Sequence, residues 1–296
     1  MTMTNRSSLL KLTDLVTQKH FEQIPEDIAF CSNIFMMFGL PSHRLKGNPA
    51  FWIKKSGSYN LVINRNVNYA IPSGCYARMN QIFIDTEVRT KNTNVIDVGQ
   101  SFREYANKLG YKDGGADKEL VKQLVNYVTS SISLNITDHN PNHIAGVQTM
   151  VAEAWDFFFD VPNPDQLTMA KGKIILSEKY AKYIHNHSVP LDMNVVRCFK
   201  RNPLALDFYR FLAYRSNELK KPISFPDHFL FEQIGVGHNQ SKVTRHQLKI
   251  ILRFIQGYWP VQAKFEDGYF ELSPSAPAVQ ARIPSKSPLV INNICG

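Results

Sequence analysis

Leu248, Ile251, Leu252 and Ile255 recur at spacings of three and four. That period predicts a helix over 244–256 with one buried face. Thr244, followed three residues later by Gln247, reads as a capping box at its start. Burying the four aliphatic side chains should stabilise by about 1.5–3 kcal/mol each. The same period in "DKELVKQLVNYVTS" predicts a second amphipathic helix, with Leu120, Val121, Leu124, Val125 and Val128 on its apolar stripe and Asp117 as N-cap. "PLALDFYRFLAYRSNEL" reads as a helix with Pro203 in its first turn, and Tyr209, Phe211, Leu212 and Tyr214 on its core face. "EDIAFCSNIFMMFGLP" is expected to be one helix ended by Gly39 and Pro41. Where the period drops to two, strands are expected. Val261, Ala263 and Phe265 alternate with Gln262 and Lys264, Phe270 and Leu272 flank Glu271, and Asp267-Gly268 between them is a two-residue hairpin signal. A second hairpin is expected around Ser56-Gly57-Ser58.

The order of these elements matters more than any one of them. From Val95 the chain reads strand ("NVIDVG"), helix ("SFREYANKL"), turn, helix (118–130), then the β-rich runs "SISLNIT" and "VQTMVAEAWDFFF". From Gly172 it reads strand, helices and a final hairpin again, without a letter-by-letter repeat. Strand, helix, turn, helix, hairpin is the order of a winged helix. The expected fold class is therefore α+β, with two winged-helix domains that are mostly helical and carry small β-hairpin wings. The expected domains are a helical extension over 1–40, a first winged helix over 41–172, a second over 173–275, and a disordered tail over 276–296.

Charge separates the two modules. The 296 residues carry 34 Lys and Arg against 25 Asp and Glu, a net of +9. Residues 1–172 are close to neutral at +1, residues 173–260 hold +8, and the remainder is neutral. A basic segment the size of a small domain implies an anionic partner. Within it, Arg245, Lys249 and Arg253 follow one another at intervals of four, each step turning only about 40° around a helix. Three like charges on one face repel by a few tenths of a kcal/mol per pair, and no Asp or Glu lies between Lys242 and Lys264. Such a stripe suits phosphates. In helix-turn-helix docking, the N-terminal part of this helix enters the major groove of duplex DNA. The candidate DNA-binding residues are Lys242, Thr244, Arg245, His246, Gln247, Lys249 and Arg253. Arg suits guanine and Gln suits adenine, while Lys264 of the hairpin is expected on the backbone. About six phosphate contacts would give a log–log salt slope near −5. Arg245→Ala or Lys249→Ala is each expected to weaken binding by more than about 1 kcal/mol without unfolding. In the first module Lys118 and Lys122 are offset by Glu119, Asp113 and Asp117, which suits either weak backbone contact or a protein–protein surface.

Other chemistry is sparse. Cys31, Cys75, Cys198 and Cys295 form no CxxC pair, and neither a secretory signal nor a long apolar span is present, so a cytoplasmic protein without membrane association is expected. No phosphate-binding GxxxxGK[ST] loop exists. His139 and His143 read as surface residues of a Pro-containing loop. His185 and His187 flank Asn186, where the metal-binding pair of rolling-circle nickases flanks a hydrophobic residue; at a helix end, histidines complement the dipole. No catalytic residue, metal ligand or cofactor site is assigned. The alternatives to a non-catalytic DNA-binding protein of this kind are a nicking enzyme built on that histidine pair and a plain winged-helix repressor.

Several stretches together resemble the plasmid-encoded RepA replication initiators. They are "GNPAFWIKKSGSYNLVI" (47–63), "IFIDTEVRTKN" (82–92), "IILSEKYAKYIHNHSVPLD" (174–192), "NPLALDFYRFLAYR" (202–215) and "FELSPSAPAV" (270–279). The resemblance implies two winged-helix domains that bind repeated sequences at a plasmid origin and help open the duplex. It also implies a homodimer that represses its own promoter in copy control, a monomer active at the origin, and recruitment of the host helicase and its loader. The family has neither nuclease nor ATPase activity, and its second winged helix is the main origin reader, which would place Arg245, Lys249 and Arg253 at the DNA.

Overall fold

A computed structural model describes residues 27–99, 101–111, 117–137, 144–160, 168–235, 241–279 and 288–292. The elements run β1 (Ile28–Ser32), α1 (Asn33–Phe38), β2 (Phe51–Ser56), β3 (Tyr59–Asn64), α2 (Gly74–Lys91), β4 (Val95–Gly99), α3 (Phe102–Lys108) and α4 (Asp117–Val128). They continue with β5 (Ser131–Thr137), β6 (Ile144–Met150), β7 (Ala152–Asp160), β8 (Thr168–Leu176), α5 (Glu178–His187), β9 (Ser188–Asp192), α6 (Met193–Cys198) and α7 (Pro203–Glu218). The last are β10 (Ile223–Pro226), α8 (Asp227–Gln233), α9 (Ser241–Tyr258), β11 (Ala263–Glu266) and β12 (Tyr269–Leu272).

The mixed α/β chain divides into two compact units, one of residues 30–189 with 284–296, the other of residues 1–29 with 190–283. The chain changes unit at 189/190, not at 172/173 as the element order suggested. The reason is β8. Its residues pair with β4 (Val95 opposite Ile175) and with β7 (Trp155 opposite Ile174), so "GKIIL" closes the first sheet instead of opening the second module. The first unit also holds more sheet than small wings would supply. β5 and β6 do not form a wing; they extend the β2–β3 hairpin into a four-stranded sheet of order β2-β3-β5-β6. "VQTMVAEAWDFFF" is split at Val151 between two sheets. The stretch before Gly39 is likewise not one helix. Ile28–Ser32 is a fully buried strand, and the helix begins only at Asn33.

Within the first unit the helix at 117–128 buries Leu120, Val121, Leu124 and Val128 as its periodicity demands, and adds Tyr127, whose hydroxyl meets that of Tyr180 on α5. Within the second unit an aromatic core centres on Phe270. Its ring lies 4.8 Å from Phe265, 5.7 Å from Phe225 and 5.9 Å from Phe208, centroid to centroid. Tyr209, Phe211 and Leu212 are fully buried on α7, whereas Tyr214, expected beside them, is half-buried at the edge of that face.

One arrangement recurs in both units. α2, β4, α3, α4 and the β7–β8 pair give a sheet of order β4-β8-β7; α7, β10, α8, α9 and the β11–β12 hairpin give β10-β12-β11. In each, the last strand sits between the hairpin partner and the strand that follows the long first helix. The second hairpin turns on Asp267 (φ 44°) and Gly268 (φ 87°). Both lie in the left-handed region that suits a tight two-residue turn. Gly268→Ala is expected to cost about 1–2 kcal/mol from that backbone strain, checked by thermal unfolding of the pure protein.

The expected disordered tail is corrected where it is described. Trp259 Nε1 donates to Ala276 O at 2.7 Å, and Val279 is buried. Residues 288–292 lie on the turn between α2 and β4.

Candidate nucleic-acid interface

Helix α9 starts at Ser241 and ends at Tyr258, longer at both ends than its apolar period suggested. Leu248, Ile251, Leu252, Phe254 and Ile255 are buried. The opposite face carries His246, Lys249 and Arg253, all exposed. These three fall within about 60° of one another around the helix axis, so α9 offers a stripe of cation and imidazole to solvent. Gln247 lies beside it, half-buried.

The remaining candidates fare differently. Thr244 is 2% exposed and sits inside the first turns of the helix, because the helix has already begun at Ser241. It lies within the helix instead of at its cap, with its side chain closed off from solvent. The side chain of Lys242 lies outside the described residues. Arg245 does not stand free with Lys249 and Arg253. Its Nε and Nη2 both donate to Oδ2 of Asp227. The Arg245 side chain is 36% exposed, that of Asp227 only 8%. Asp227 also anchors the hairpin turn, its backbone N donating to Gly268 O at 3.0 Å. One carboxylate thus ties the start of α8 to α9, while its own backbone holds the β11–β12 turn. Asp227 is a residue that reading α9 by itself missed; its signal was an acid in the first turn of the helix in "FPDHFLFEQ".

Lys264 is exposed on β11 but balanced by two acids, Glu266 on its own strand and Glu271 across the hairpin at 3.2 Å. Those hydrogen bonds raise its pKa and lower that of Glu266. With Asp267 at the turn, the hairpin holds one cation against three acids, which does not suit a phosphate contact. Among the described residues of this unit, the other exposed cations are Arg201, Arg215, Lys220 and Lys221. In the first unit, Lys122 on α4 lies 3.9 Å from Glu119, which also accepts from Gln123 Nε2 at 2.7 Å. That helix offers no cationic stripe of the kind seen on α9.

The histidine pair does not converge. His185 is 8% exposed with Nδ1 3.3 Å from Asn186 Oδ1, and His187 stacks on Tyr183 with centroids 4.9 Å apart. Among the described residues no group of His, Cys, Asp and Glu is placed to hold a metal ion. His139 and His143 lie outside the described residues.

The family model described as plasmid encoded RepA protein matches residues 71–224, from the turn before α2 to the start of β10. This chain belongs to the RepA family of replication initiators. The matched part of this chain holds α2 to α7 and ends before α8 and α9. Two solved structures extend the likeness in fold. One is of domains 2 and 3 of RctB, with TM-score 0.55 at 12% identity over 82% of this chain and 96% of the other. The other, a selenomethionine form of the same two domains, gives 0.53 at 10% identity over 84% and 97%. At such identities they show a likeness of fold alone. No curated protein matches it. No helix among the described residues is long and apolar enough to cross a membrane.

Proposed function

We propose that this RepA-family protein initiates plasmid replication by binding repeated duplex sequences at the origin, without catalysis, through a winged helix formed by α7, β10, α8, α9 and the β11–β12 hairpin. The observation that carries this reading is the α9 face of His246, Lys249 and Arg253, exposed while the other face is pinned into the core. On this reading α9 lies in the major groove. Lys249 and Arg253 meet phosphates or guanine, and His246 and Gln247 meet base edges. Arg245 holds the helix to α8, and Lys264 plays no part. The arrangement α2, β4, α3, α4, β7–β8 is then a second winged helix whose near-neutral helix serves as a protein surface. A homodimer that represses the promoter and the host helicase with its loader are the partners implied by the family.

The test is a footprint and titration on the DNA upstream of the gene. Lys249→Ala is expected to weaken specific binding by about 1–3 kcal/mol at fixed salt, with an unchanged melting temperature. Equal affinity of the two proteins would remove α9 from the groove. The non-catalytic part is tested separately, with supercoiled plasmid and a divalent metal. Plasmid should stay intact; strand cleavage with covalent attachment to a tyrosine would overturn it.

A further inference from the structure

Residues 288–292 return to the first unit and lie along the corner that joins α2 to β4. Val290 bridges Thr93 in parallel sense. Its N–H donates to Asn92 O at 2.7 Å, and its carbonyl accepts from Asn94 N at 3.4 Å. Asn94 is 1% exposed. Its carboxamide reads the backbone of Asn292 twice: Oδ1 accepts from Asn292 N at 2.8 Å, and Nδ2 donates to Asn292 O at 3.0 Å. Asn292 Nδ2 adds a bond to Thr93 Oγ1 at 3.2 Å. Leu289 and Ile291 are half-buried, while Pro288, Val290 and Asn292 face solvent. This alternation is that of an added strand lying on one face.

The chemistry is that of peptide recognition by backbone pairing. A buried amide that satisfies both N–H and C=O of one residue recognises any extended chain, and the half-buried positions two apart select its side chains. Two half-buried aliphatics and a handful of hydrogen bonds make a modest contact. It is sustained because the segment is tethered, at an effective concentration of about millimolar for a short linker. We propose that the Asn92–Asn94 corner is a docking site for extended peptides with aliphatic side chains two residues apart, filled in cis by residues 288–292 and open to exchange when that segment leaves.

The test uses the full chain. Hydrogen exchange should find the amides of Val290 and Asn292 protected at least about tenfold relative to an unstructured peptide. Val290→Pro removes the donor to Asn92 and should abolish protection of Asn292 without changing the melting temperature. A fluorescent heptapeptide spanning Lys286 to Asn292 should then bind the Val290→Pro protein at least about tenfold tighter than the unsubstituted one, whose site is taken. Adding Asn94→Ala should remove that binding. Because Asn94 Nδ2 also donates to Leu176 O at 3.2 Å, the double variant is read only alongside its own unfolding curve, and Val290→Pro decides the matter alone. Unprotected amides in the unsubstituted chain, or no peptide binding to Val290→Pro, would overturn the proposal. Equal peptide binding to both proteins would overturn occupation in cis.

Discussion

A tenfold rise in salt is expected to weaken binding of this RepA-family protein to its origin duplex by about four to five decades, the largest single effect on its function. The argument is a count of cations that can reach phosphate. Arg245 and Lys264 drop out, each already facing carboxylates. Lys249, Arg253, Arg201, Arg215, Lys220 and Lys221 are the exposed cations that remain in the described part of residues 190–279. If all six meet phosphates, the log–log slope approaches −5, since each contact contributes about 0.9. Fewer contacts make it shallower in proportion. The Lys249→Ala/Arg253→Ala double variant should flatten the slope by about two. A fluorescence-anisotropy titration across salt concentrations reads both numbers. A slope near zero, or one unchanged in the double variant, would mean that α9 does not face the backbone, whatever its charge.

Short-range pattern carried the helices and the turns. The stripe of Leu248, Ile251, Leu252 and Ile255 placed the buried side of α9, because a period of 3.6 admits one solution for a segment that long. The turns at Gly57 and Asp267-Gly268 were legible because their conformations demand those residues. What failed was partnership over distance. "IAFC" is a short apolar run, which periodicity cannot assign to strand or helix, and the structure makes it part of a strand buried along its whole length. "GKIIL" precedes a helix and so read as the opening of the second module, yet its partners are Val95–Gly99, some eighty residues earlier, and Ala152–Asp160. The same blindness reached the candidate site. No acid lies between Lys242 and Lys264, but Asp227 at the start of α8 lies outside that window and meets Arg245 of α9 in space. Lys264 gave the opposite lesson. Glu266 and Glu271 are close in sequence, and the register of the hairpin, Lys264 opposite Glu271, was sufficient to foresee its neutralisation.

Arg245→Ala is expected to lower the stability of the second unit by about 2–3 kcal/mol and to leave DNA affinity nearly unchanged, the reverse of what the spacing of the basic stripe implied. The asymmetry of the pair decides this. Asp227 is almost wholly buried, while Arg245 keeps a third of its side chain in solvent. Removing the arginine leaves a carboxylate out of water with its two charged donors gone. A fully buried pair broken this way typically loses about 3–5 kcal/mol; the partial exposure of Arg245 moves the value to the lower end. Removing the carboxylate instead releases a guanidinium that can turn to water, so Asp227→Asn should cost less than Arg245→Ala. Combining Asp227→Asn with Arg245→Ala should then recover much of the loss, since no uncompensated charge remains. Urea unfolding of the three variants gives the coupling directly. Protein held well below its unfolding midpoint gives the DNA affinity, expected within about threefold of the unsubstituted chain on the reasoning that 1 kcal/mol is about a fivefold change. Unchanged stability with a tenfold loss of affinity would return Arg245 to the DNA. It would also mean that the guanidinium leaves Asp227 for phosphate whenever the duplex is bound.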